Sequence, residues 1–251
     1  MTSKVGFYIE KLKTLKEWDA YLLGESGLPG PRGNLELARA FAEIGNEKLI
    51  REYIKIKPDE APVDSAKVFL TFCGVVGLGT LVNRGKKEYL KDIRHFASDS
   101  RWRIREAVAM AIQRIGDAEI NLALHEAKEL SVGNFLEKRA AAAALCESRL
   151  LKTEIITAAV LDILNDITTS IVGLHCEKDE DFNVLKKGLG YCWSVAVVAN
   201  PTKGKNLMEK CIQTKDKNVL WIMKENLKKN RLTKSDKEWV IKQTREINKN
   251  E

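Results

Sequence analysis

The sequence is poorest in the features that announce chemistry. Its three histidines (His95, His125, His175) form no HxxxH or HExxH pair, and none stands at ligand spacing from a cysteine, so no metal site is expected. The five cysteines (73, 146, 176, 192, 211) are odd in number, widely scattered and without a CxxC. They read as reduced thiols of a cytoplasmic protein. Nucleophile-elbow, P-loop and kinase signatures are all missing, and no cofactor is expected. The stretch GLPGPRGN (27–34) precedes a helix, but it lacks both GxGxxG and a GK[ST] ending. It reads as a turn rather than a phosphate cradle.

Long apolar runs are scarce too. The best, VFLTFCGVVGLGTLV (68–82), has 15 residues and three interior glycines. A bilayer needs about 20, so this run reads as a buried helix and no membrane partner is expected. The first 18 residues are charged from the start, which does not fit a secretory signal. No sustained alternation of β-branched residues appears, which argues against a sheet. The prolines fall at turns: 29 and 31 in the glycine-rich stretch, 58 and 62 around another turn, and 201 after Asn200.

What is present is charge, unevenly placed. The net charge is +7. Residues 201–251 hold 14 Lys/Arg and 7 Asp/Glu, whereas the first 200 residues hold 28 of each. All the excess therefore lies in the last fifth of the chain. That asymmetry fits either a polyanionic partner or a solubilising terminal helix.

The segment SDSRWRIREAVAMAIQRIGD (98–117) places Ile104, Ala107, Val108, Ala111, Ile112 and Ile115 on one helical face. Trp102 falls on the opposite side with Glu106, Ala109 and Gln113. Its relatives recur along the chain. RWRIREAVAMAI aligns with LWIMKENLKKNR (220–231), which pairs Trp102 with Trp221 and Arg105 with Lys224. NFLEKRAAAAAL supplies Phe135 and Lys138, and NVLKKGLGYCWS supplies Val184 and Lys187. With Asn34 and Val68 upstream, the matching positions are 34, 68, 105, 138, 187 and 224, in steps of 34, 37, 33, 49 and 37. Steps of that size fit one helical hairpin per repeat.

The pattern DxxxxxREAxAxAIxxIG (Asp99 to Gly116) resembles the HEAT-repeat signature, and the other copies resemble degenerate versions of it. The resemblance implies an all-α, right-handed α-solenoid of about six hairpins, with the second helix of each hairpin lining a concave surface. Residues 1–251 are then one domain. It has N-terminal repeats at 20–162, an insertion or junction at 163–182 and basic repeats at 183–251.

Four copies set a large apolar or aromatic residue three positions before a cation. On the last of them Trp221, Lys224, Lys228 and Arg231 share the side opposite Val219, Leu220, Ile222, Met223 and Leu227. With Trp102, Arg105, Lys138, Arg139 and Lys187 they form a candidate surface for a nucleic-acid backbone or an acidic protein. Packing and capping alone also explain such residues. A second resemblance is to HEAT-like DNA glycosylases that excise alkylated bases. They carry a Trp four residues before a catalytic Asp, an Arg further on and a later Trp. The matching positions here are Trp102, Glu106, Arg139 and Tyr191, with Glu in place of Asp and Tyr in place of Trp. A carboxylate at 106 would stabilise an oxocarbenium-like sugar. A scaffold for assembling another enzyme is the third reading.

Overall fold

The computed structural model describes residues 3–250. Among them 72% of the chain is helical and there is no strand, so the protein is all-α. It divides into two compact units, residues 1–119 and 120–251.

The first unit contains α1 (Lys4–Lys13), α2 (Asp19–Gly24), α3 (Leu35–Ile44), α4 (Glu47–Ile54), α5 (Val68–Asn83), α6 (Leu90–Phe96) and α7 (Trp102–Ala118). The apolar run at 68–82 forms α5, and every one of those 15 residues is buried. Helices α3, α4, α6 and α7 all pack on α5. Its glycines let two of them approach to backbone contact. A Cβ on Gly79 would stand 2.5 Å from the Ala111 carbonyl oxygen of α7, and one on Gly74 would stand 2.9 Å from Tyr53 Cβ of α4. Asn34, the first matching position, caps α3 by accepting from Leu37 N at 3.1 Å. Its amide also ties α3 to α1 through Tyr8 Oη at 2.9 Å.

The Arg-Trp-Arg opening of α7 is mostly structural. Arg101 is buried, pairs with Asp99 at 2.8 Å and donates to the carbonyls of Ile56 and Ala61. Arg103 donates to Val63 O at 3.0 Å and Gly30 O at 2.6 Å, with its guanidinium carbon 4.3 Å from the centre of the Trp102 ring. Helix α7 also corrects a simple two-faced reading. Ala109 and Gln113, on the Trp102 side, are buried along with the apolar stripe.

The second unit contains α8 (Ile120–Ser131), α9 (Phe135–Leu145), α10 (Glu154–Thr169), α11 (Glu180–Ala199), α12 (Pro201–Gln213), α13 (Lys217–Leu227), α14 (Asn230–Ser235) and α15 (Lys237–Asn250). Helix α9 packs on α11 and α11 on α13, while α10 packs on both α8 and α12. The caps follow the sequence. Asn134 and Glu137 form a capping box, Asp179 and Asp216 cap α11 and α13, and Asn200 caps α12 ahead of Pro201. Residues 163–182 are no separate element: they comprise the end of α10, a loop at 170–179 and the start of α11. Trp193 is wholly buried, and its Nε1 donates to Thr168 Oγ1 at 3.0 Å.

The six matching positions fall one to each of α3, α5, α7, α9, α11 and α13 (Asn34 as the N-cap of α3). The five cysteines are free thiols, four of them buried. Among the described residues no helix is long and apolar enough to cross a membrane.

Candidate functional site

The predicted residues divide between the units. Trp102, Arg105 and Glu106 belong to α7 of the first unit; Lys138, Arg139, Lys187, Tyr191, Trp221, Lys224, Lys228 and Arg231 belong to the second.

In the first unit, Arg105 is bound to its own helix start. It donates to the carbonyls of Asp99 at 2.7 Å and Ser100 at 3.1 Å. Those bonds give it a turn-closing role and remove it from the set of freely presented cations. Trp102 is the first residue of α7 and keeps 45% of its surface exposed. Glu106 follows one turn later and is half-buried.

The second unit gathers its residues on α9, α11, α13 and α14. Lys187 and Tyr191 lie one turn apart on α11 and are both exposed. Lys138 is half-buried on α9. Neither Lys138 nor Lys187 has an ion-pair partner among the described residues. The Arg139 stem lies against α11, 3.3 Å from where a Gly188 Cβ would stand.

Arg231 reaches this surface by a route the sequence does not show. The helical spacing predicts one helix running through Arg231, but α13 ends at Leu227 and Arg231 starts afresh on α14. The break sits beside Asn226, which is wholly buried. Its amide accepts from Ser194 N and donates to Leu189 O on α11, and donates back to Ile222 O, each at 2.8 Å. Such back-bonding to the preceding turn competes with regular helix. Arg231 then lies over Tyr191, with its guanidinium carbon 4.6 Å from the ring centre and Nη2 donating to the hydroxyl at 2.7 Å. Lys228 pairs with Glu225.

Trp221 is held by α11, its Cζ3 3.2 Å from where a Gly190 Cβ would stand. Lys186, not its neighbour Lys187, covers the ring, with Nζ 4.9 Å from the centroid. That ammonium also donates to Oδ1 of the buried Asn218 at 2.9 Å. Burial pulls Lys186 below the usual lysine range, while Glu177 and Asp216 pull it back up. Around this pair lies a cavity of about 360 Å³, lined also by Lys215, Lys217 and Glu177. Lys217 pairs with Glu177 at 2.6 Å and, with a backbone bond, holds its carboxyl down at about 2.

The sequence pattern singles out none of Lys186, Asn218, Lys215, Lys217 and Glu177. The one visible signal is the Lys-Lys doublet before GLGY, of which the repeat register picks the second member.

The described residues contain no cluster of three or more His, Cys, Asp or Glu able to hold a metal ion. Chemically, the face built by α11, α13 and α14 offers two aromatic rings, each with a cation over it, together with the half-buried Lys138 and the exposed Lys187. Compared with protein-family models, curated proteins and solved structures, the chain matches none of them.

Proposed function

We propose that the chain is a right-handed α-solenoid of about six HEAT-like hairpins, and that its second unit is a non-catalytic surface for a nucleic-acid backbone. The solenoid reading is supported by the repeat register, which assigns one matching position to each of α3, α5, α7, α9, α11 and α13. Row packing of α9 on α11 and α11 on α13 also fits it.

One observation carries the binding reading. Tyr191 with Arg231 and Trp221 with Lys186 place two ring–cation pairs on neighbouring helices, beside Lys138 and Lys187. Lysines contact phosphates, and rings or guanidinium planes stack on bases. An acidic protein would use the cations and leave the rings without a role.

The test is fluorescence anisotropy with a labelled DNA strand across a salt series. Affinity should fall linearly in log K against log salt, and Lys138→Ala with Lys187→Ala should flatten the slope by about 1.4. Binding of poly-glutamate without binding of DNA would assign the face to an acidic protein.

Excision of alkylated bases is a second reading, favoured by the exposed indole of Trp102 one turn before Glu106. Incubation with methylated duplex DNA tests it directly: released base, lost in Glu106→Gln, would establish it. The scaffold reading instead requires a stable co-purifying protein.

A further inference from the structure

The cavity beside Trp221 has the makings of a binding site more specific than a backbone track. It combines the ring edge of Trp221, fixed on α11 at Gly190, with Lys186, Lys215 and Lys217 in about 360 Å³. That is near the lower end for small-molecule sites, the size of one nucleotide rather than a run of them.

The charges in it are already partly sorted. Lys217 is neutralised by Glu177. The Asp216 carboxylate accepts from the backbone N–H groups of Asn218, Val219 and Gly173 at 2.9, 3.0 and 2.9 Å, so the α13 N-terminus balances it. Lys186 and Lys215 remain as two cations outside any ion pair among the described residues, with Glu177 and Asp216 acting on Lys186 only through space. Lys186 is anchored by one bond, to Asn218, and an ammonium has three donors, so two are left for a ligand.

Lys215 adds an independent observation. It is the only non-glycine residue with positive φ among the described residues, at 55°. It stands just past the end of α12, a place where glycine is the usual occupant. A lysine kept in left-handed backbone breaks a local rule, and such exceptions concentrate at functional sites.

We propose that this pocket takes a single nucleotide bearing a phosphomonoester, with its base against Trp221 and its dianionic phosphate between Lys186 and Lys215. Two cations outside any ion pair suit a dianion better than an internal phosphodiester, which carries one charge. The proposal rests on the nucleic-acid reading above, and the nucleotide is either free or the phosphorylated end of a strand.

The experiment uses the full chain and four probes: a 5′-phosphorylated 12-nucleotide DNA strand, its 5′-hydroxyl twin, a circular single strand of similar composition, and AMP as competitor. The phosphorylated strand should bind at least tenfold tighter than the other two, and millimolar AMP should displace it. Lys215→Gly, which keeps the left-handed backbone accessible, should reduce the end preference below threefold without changing affinity for the circle, and Lys186→Gln should reduce the end preference likewise. Equal affinity for all three DNAs with no displacement by AMP overturns the pocket and leaves the backbone reading standing. Binding of AMP without binding of any DNA keeps the pocket, makes the free nucleotide its ligand and overturns the backbone reading. No binding of DNA or AMP overturns both.

Discussion

The side-chain oxygen of Asn226, on α13, takes a hydrogen bond from the backbone N–H of Ser194, inside α11, at 2.8 Å. Both residues are wholly buried. A side chain thus bonds directly to the backbone of the neighbouring helix. It locks the spacing of the two helices that carry Tyr191 and Trp221. Asn226→Ala would remove the three hydrogen bonds its buried amide makes, to Ser194 N, Leu189 O and Ile222 O, and open a small void. The expected loss is about 2 to 3 kcal/mol by urea denaturation. A loss below about 0.5 kcal/mol would show that water or a helix shift replaces the bond.

The spacing of α5 and α7 depends on a missing side chain. With the Gly79 Cβ position 2.5 Å from the Ala111 carbonyl oxygen, Gly79→Ala forces two backbones apart. Overpacking of this kind costs about 1 to 3 kcal/mol. At the open Gly85, whose φ is 91°, alanine meets no atom but strains the backbone instead, so it is no neutral control. Gly24, with open space and ordinary φ, is the better comparison, and Gly24→Ala should change stability by less than about 1 kcal/mol.

How legible this was from sequence varies with how local each cause is. The α5 run is readable because its apolar character depends on no partner, and the caps at Asn34, Asn134, Asp179 and Asn200 are short-range chemistry. The anchoring of Arg105 is not legible in its helical register, because its carbonyl partners, Asp99 and Ser100, come from the turn just before the helix. The end of α13 carries no glycine or proline to mark it; its cause is an asparagine bonded to another helix. The cavity beside Trp221 is invisible for the same reason, since α11, α13, the turn at 214–216 and the loop at 170–179 build it together.

Lys215 separates stability from binding. Left-handed backbone costs a non-glycine residue about 1 to 2 kcal/mol, and glycine gives back part of that through the unfolded chain. Lys215→Gly should therefore raise stability by up to about 1 kcal/mol while weakening the preference for phosphorylated ends. If thermal denaturation shows it clearly less stable, the lysine side chain supports the fold and the strain argument fails.

Alkaline pH should loosen the first unit through Tyr89. Burial and its hydrogen bond to Glu47 Oε1 at 2.6 Å push this phenol up to about 12, so the fold favours the protonated form. A raised folded value means that the contribution is complete below the ordinary tyrosine value of about 10 and disappears as pH climbs from there to about 12. Tyr53, bonded to Asp19, is pushed up as well. Denaturant melts at pH 9, 10 and 11 should show stability falling, and less steeply in Tyr89→Phe. Tyrosinate absorbance should show at least one phenol titrating late. Identical slopes in the two proteins would remove Tyr89 from the account.

A chain that has left the ribosome only as far as Asn83 has made α5 but not α7. The part of this 15-residue buried run that α7 covers in the finished protein is then exposed, while α3 and α4 can already cover the rest. Until residue 118 emerges and folds back, this intermediate offers a sticky apolar rod to chaperones and to other nascent chains. The same holds for any truncation or proteolytic cut between residues 84 and 101: the fragment keeps α5 and loses the cover that α7 supplies. The first 119 residues are therefore best expressed as a unit that includes all of α7.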